Sequence, residues 1–226
     1  MELSPRLLKI ASLVPKGSKL ADVGTDHGYI PLYLLKNNII EYALAMDINP
    51  MPLQKAEDNI TSAGFGNMCD FRLSNGLEKL NPNEVDIVVI AGMGGILMQD
   101  ILSQGKKAIT PNTKFILQPM IAPIELRTFL YENGFNIENE YVIREDNKFY
   151  NIMYVSVGSY APSEKDLIIG KNLKINSCEI FEDYINYRTK VCTNIIKGIE
   201  KSKNPDNAEL AKQKNYLKVL KSAQKE

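Results

Sequence analysis

Three aspartates carry most of the chemistry legible in this chain. Asp22 and Asp26 flank the turn in Leu20-Ala21-Asp22-Val23-Gly24-Thr25-Asp26-His27-Gly28-Tyr29, and Asp47 lies roughly 20 residues beyond it. An apolar run that ends in a tight glycine turn reads as a buried strand opening a helix. Gly24 and Gly28 let backbone approach a ligand where a side chain would collide. Two carboxylates at such a turn repel a pyrophosphate, so a ligand with a cationic or neutral linker fits better than a dinucleotide. Asp47 follows a second strand pattern, where a carboxylate accepts both ribose hydroxyls of a nucleoside. In Ser74-Asn75-Gly76 a side-chain amide is placed to accept from an adenine amino group. Ala91-Gly92-Met93-Gly94-Gly95 leaves backbone exposed where a helix begins, and Met93 there either packs inward or offers a soft apolar surface to a base. His27 is the only histidine; with no evident partner it reads equally as a turn residue and as a catalytic group. A solvated loop acid or a purely structural glycine turn explains any one of these features. Their joint occurrence at successive strand ends favours a nucleoside site.

The elements that must position these residues alternate along the chain. Ser4 caps a helix with Pro5 at its first position, covering 6–14 and turning Leu7, Leu8, Ile10, Ala11 and Val14 to one side. Strand patterns at 19–23, 42–46, 68–73, 85–91 and 114–117 interleave with helical patterns near Ile30 and at 53–63, 96–104 and 124–132. Alternation of this kind predicts a parallel sheet covered by helices on both faces. The pattern breaks at 137–144 and 149–157, two extended runs joined by Glu145-Asp146-Asn147-Lys148, which predict an antiparallel hairpin. The expected fold is therefore α/β: a Rossmann-like sheet of seven strands ending in an antiparallel hairpin, which by fold analogy alone resembles the class I methyltransferase variant. After a linker at 159–163, a helical pattern over 177–202 is broken by Asn204-Pro205. Asp206 then caps a second helix to Ala223, whose apolar stripe is Leu210, Leu217 and Leu220. These two helices predict an antiparallel, coiled-coil-like hairpin. The domains expected are 1–158 and 163–226.

At 226 residues the chain accommodates one domain of about 150 residues and a smaller module. No apolar run approaches the roughly 18 residues that cross a bilayer, and Met1-Glu2-Leu3-Ser4-Pro5-Arg6 lacks a signal-peptide layout, so a cytoplasmic, membrane-free protein is expected. Cys69, Cys178 and Cys192 form no C-x-x-C pair and read as reduced thiols. The zero net charge hides an asymmetry: 14 basic and 18 acidic side chains up to Ser156, against 13 and 9 from Val157 onward. All but one of those thirteen are lysines, which suit phosphate contact or, equally, a solvated helix face.

Thr25-Asp26-His27-Gly28-Tyr29-Ile30-Pro31, Ala91-Gly92-Met93-Gly94-Gly95, Leu117-Gln118-Pro119 and Lys148-Phe149-Tyr150 together resemble the bacterial tRNA (adenine(22)-N(1))-methyltransferase family. The resemblance spans essentially the whole chain. It implies S-adenosyl-L-methionine, whose linker is cationic, as cofactor and tRNA as partner, without a metal and as a monomer or weak dimer. For the cofactor it implies Asp22, Gly24, Thr25, Asp26, His27, Gly28, Asp47, Ile48, Asn75, Gly76, Ala91, Gly92 and Met93. With such an acceptor, Asp26, His27 and Met93 are the candidate catalytic residues, Tyr29 and Gly94 are expected to shape the base pocket, and Lys190, Lys197 and Lys201 of the lysine-rich hairpin are expected to contact the substrate's phosphates. The chain departs from its relatives at Met120, where asparagine is usual, at Asn75, where aspartate is frequent, and at Asp47, where glutamate is common. Two other readings compete: a methyltransferase for a small molecule or protein that uses the hairpin to dimerise, and a non-catalytic nucleotide-binding scaffold.

Overall fold

The computed structural model describes residues 2–225. Its centre is a seven-stranded sheet of order β3-β2-β1-β4-β5-β7-β6. The strands are β1 (Ser18–Val23), β2 (Ile40–Asp47), β3 (Cys69–Leu73), β4 (Ile87–Met93), β5 (Lys114–Pro119), β6 (Phe135–Glu145) and β7 (Lys148–Val157). The first five pair in parallel, while β7 runs antiparallel between β5 and β6. The expected hairpin thus closes the sheet.

Alternating side chains along each strand feed two cores. Leu20, Ala43, Ala45, Val89 and Ile116 face α1 (Pro5–Ser12), α2 (Tyr29–Lys36) and α3 (Pro50–Ser62). Ala21, Leu44, Met46, Val88, Ile90 and Leu117 face α4 (Gly95–Gln104) and α5 (Pro123–Glu132). The helices after β1 and β4 therefore lie on opposite faces, and the loops leaving these neighbouring strands diverge. That divergence opens a crevice outside their carboxyl ends.

The first helix is shorter than its pattern. It ends at Ser12, and Leu8 is 46% exposed and not part of the packed side. The helical pattern at 177–202 is one continuous helix, α8 (Cys178–Glu200), packed on α9 (Asn207–Ala223). Two short helices precede it, α6 (Glu164–Ile168) and α7 (Leu173–Asn176). The Ser163-x-x-Asp166 capping box starts α6, each side chain bonding the other's backbone N–H, at 3.1 and 2.9 Å.

A buried polar network ties these helices to the sheet. Arg127 of α5 and Glu140 of β6 are both fully buried and paired. Arg127 also donates to the carbonyls of Leu167 and Ile169, at 3.1 Å each. Asn151 donates to Glu140 at 3.1 Å and accepts from the Tyr184 hydroxyl of α8 at 3.1 Å. A third apolar core, with Val142, Phe181, Tyr184, Ile185 and Leu220, lies beside it. Cys69 and Cys192 are buried, Cys178 is exposed, and all three thiols are free. No helix of the described residues is long and apolar enough to cross a membrane.

Candidate active site

The crevice is a cavity of about 680 Å³, inside the roughly 300–1,000 Å³ range of small-molecule sites. Its wall holds Asp22, Gly24, Asp26 and Tyr29 from the first loop, Asp47 and Ile48 from the second, and Asn75 and Gly76 from the third. Ala91, Gly92 and Met93 close the β4 side. Residues from four separate strand ends thus meet at one place.

Asp22 sits at the floor with 6% of its surface exposed. Burial pushes its carboxyl up to about 6; the neighbouring Thr25 hydroxyl partly offsets this, and Asp47 adds repulsion. A buried carboxylate so disfavoured gains most from a cationic ligand group. Asp47 accepts the Asn49 N–H through Oδ1 at 2.7 Å, which leaves its other oxygen for a hydroxyl pair. Asn75 donates its amide to Glu78 at 3.0 Å, which orients its carbonyl oxygen as the free acceptor. Gly92 has φ +78° and open space where a Cβ would stand, so its backbone faces the cavity. At Gly24, φ is +76° and a Cβ would run into the Met93 methyl. These residues fit a nucleoside whose linker carries positive charge.

Other expected residues stand just behind this wall. Gly28, with φ +65°, abuts Ala56 and Ile60 of α3, and its missing Cβ lets that helix close on the turn. Gly94 packs against Ile121. His27 adopts φ +62°, stacks on Tyr29 with ring centroids 5.2 Å apart and brings Nε2 within 3.3 Å of Asp26 Oδ1. The Asp26 side chain is 79% exposed at the mouth. Lys190, Lys197 and Lys201 are exposed and none lines the cavity. Their spacing of seven and four residues sets Lys190 and Lys197 of α8, and Lys201 at its C-cap, on one side of that helix.

Strand-end reasoning missed Arg6, Leu7, Leu97 and Ile101, all of which line the cavity together with Met120 at the end of β5. Arg6 and Leu7 arrive from α1, which precedes the first strand. Gln118 is fully buried and accepts from Arg6 Nη1 and from the Gly92 N–H, the latter at 3.1 Å. The Leu117-Gln118-Pro119 run was a signal for this role. Nothing in it pointed to Arg6 as the partner.

Comparison with known proteins agrees with this geometry. Residues 3–153 match the family model described as a methyltransferase domain. A Bacillus subtilis tRNA (adenine(22)-N(1))-methyltransferase is 34% identical over 158 residues, which is 70% of this chain and 66%, just under two thirds, of that relative. A Streptococcus pneumoniae structure in complex with S-adenosyl-L-methionine superposes with a TM-score of 0.86 at 30% identity, covering 99% of this chain and 100% of the other. The structure of M. capricolum TrmK with S-adenosyl-homocysteine gives a TM-score of 0.84 at 27% identity, covering 100% and 99%.

Proposed function

The chain belongs to the methyltransferase-domain family and, within it, to the tRNA (adenine(22)-N(1))-methyltransferases, and from that premise we propose that it methylates N1 of adenine 22 in tRNA. The observation that carries the reading is the cavity at the β1–β4 divergence with the buried acid Asp22 at its floor. S-adenosyl-L-methionine supplies an electrophilic methyl on a sulfonium that departs as a neutral thioether.

Asp22 meets the positive charge of the cofactor, Asp47 its ribose, and Asn75 with Ile48 and Gly76 its adenine. Gly92 admits it where a Cβ would intrude, Gly24 leaves room for the Met93 side chain beside it, and Thr25 and Gly28 shape the turn behind. The N1 lone pair of adenine is free, so the site needs alignment more than a strong base. Met93, Gly94 and Tyr29 shape the pocket of the acceptor base. Methylation leaves the base cationic, and Asp26 at the mouth stabilises that charge and then takes a proton from the exocyclic amine. His27, stacked on Tyr29 and beside Asp26, holds both in place.

N1 lies on the Watson–Crick edge, so the target base must leave its pairing before it reaches the cavity. Lys190, Lys197 and Lys201 supply phosphate contacts that offset this cost. We divide the chain at 1–158 and 163–226 accordingly, the first part binding cofactor and the second tRNA. We also read the enzyme as cytoplasmic, working without a metal, and as a monomer or weak dimer. Incubation with unmodified tRNA and labelled cofactor tests the reaction: 1-methyladenosine is the expected labelled nucleoside, and label in any other nucleoside contradicts it.

A further inference from the structure

The cavity has two electrostatically distinct ends. Asp22 and Asp47 occupy the β1–β2 end, whereas Arg6 is the one cation among its described lining residues. Arg6 reaches the β5 side, because its Nη1 donates to Gln118 near the end of β5. Three further contacts aim it. Its backbone N–H donates to Glu145 at 2.9 Å and its Nε lies 3.6 Å from the same carboxylate. Its guanidinium carbon sits 5.3 Å from the centre of the Tyr150 ring. Nε is buried without a hydrogen-bond partner, so the guanidinium makes a single side-chain hydrogen bond and keeps donor capacity. The register continues the placement: Leu117 pairs with Met153, so Tyr150 and the hairpin tip extend past the carboxyl end of β5, where Tyr150 meets Arg6.

We propose that Arg6 is the acceptor-binding residue that holds a phosphate of the target nucleotide at the β5 end of the cavity, with Tyr150, Gln118 and Glu145 as its positioning residues. The proposal rests on the tRNA-methyltransferase reading. A base drawn out of its stack brings its phosphate to the mouth, and a planar guanidinium fork matches phosphate oxygens two at a time. Glu145 balances part of the Arg6 charge, which keeps that end from repelling the cationic product base. The Lys148-Phe149-Tyr150 segment thereby gains a reason. Phe149 packs on Tyr184 and Tyr187 of α8, while Tyr150, on the other face of β7, supports Arg6.

The test uses full-length wild type, Arg6→Gln and Arg6→Lys with unmodified tRNA transcript. The readouts are cofactor Kd, tRNA KM, kcat and the salt dependence of KM. Arg6→Gln is expected to leave cofactor Kd within about twofold, raise tRNA KM about tenfold and flatten the log–log salt slope by roughly 0.7–0.9, the share of one phosphate contact. Arg6→Lys keeps the charge and restores the slope, but not the full KM, because it lacks the fork. If wild type methylates tRNA and Arg6→Gln keeps its KM and salt slope, Arg6 holds no phosphate and the proposal is overturned. Equal losses of cofactor and tRNA affinity would likewise overturn it, making Arg6 a structural anchor. A wild type that transfers no methyl to tRNA would instead bring down the functional reading on which the proposal rests.

Discussion

Asp22 is a residue whose value to the ligand and cost to the fold have opposite signs. Its carboxyl stands at about 6 in the folded protein against 3.8 in the free group. Folding thus favours the protonated form: stability from this site is complete below pH 4, declines between 4 and 6, and stays lower above. The full difference is about 3 kcal/mol at 1.36 kcal/mol per unit. Asp22→Asn should therefore raise the melting temperature of the ligand-free protein at pH 7.5 and lose that advantage near pH 4, as calorimetry would show. The same change should weaken S-adenosyl-L-methionine binding about 10–100-fold, the worth of a charge-assisted contact. In wild type, cofactor affinity should fall as pH drops through 6, because the protonated floor no longer attracts a cation; titration calorimetry from pH 5 to 8 checks this. Asp26 differs in being solvated, so screening limits its effect. Asp26→Asn should lower kcat about tenfold at saturating substrates, and near-normal turnover would remove the electrostatic role proposed for it. Asp22, Asp47, Asn75 and Gly92 were legible in the sequence because strand ends announce themselves through apolar runs and glycine turns. Arg6 was not, since a cation in an amphipathic helix looks solvent-facing until the helix is docked.

At the scale of elements, the sheet and its hairpin followed from periodicity, whereas the joint between sheet and C-terminal helices did not. Arg127 lies in α5 and Glu140 in β6, thirteen residues apart along the chain, and each alone reads as an exposed charge. Only packing puts both at 0% exposure with α6 carbonyls as further partners. Gly170 is shaped by the same joint, since a Cβ there would stand 2.5 Å from the Glu140 carboxylate. Glu140→Gln strands a buried guanidinium, and chemical denaturation should register a loss of about 3–5 kcal/mol. A variant of unchanged stability would mean that water reaches the pair. The joint also alters how the C-terminal part is best probed. Truncation after Ser163 would strip carbonyl partners from Arg127 and the Tyr184 hydroxyl from Asn151, disturbing the sheet side of the joint along with the C-terminal helices.

For the whole molecule, surface substitution is the cleaner probe. Replacing Lys190, Lys197 and Lys201 together by Gln leaves the joint intact and removes three exposed charges from one side of α8 and its C-cap. It should weaken tRNA binding about tenfold or more at low salt and flatten its salt dependence, with cofactor Kd unchanged. Unaltered tRNA affinity would make the lysine excess a solvated face. The charge asymmetry behind this expectation was plain in composition, but composition does not tell a binding face from a soluble one. The acceptor position is the most specific part of the reading and comes from family membership, whereas the roles proposed toward the cofactor rest on the acid-floored cavity. The most direct measurement compares two otherwise identical unmodified tRNA transcripts, one with adenine and one with guanine at position 22, each incubated with enzyme and S-adenosyl-L-methionine and mapped by mass spectrometry. One methyl on N1 of adenine 22, and none on the guanine-22 transcript, is the predicted result; equal methylation of both transcripts would contradict the account.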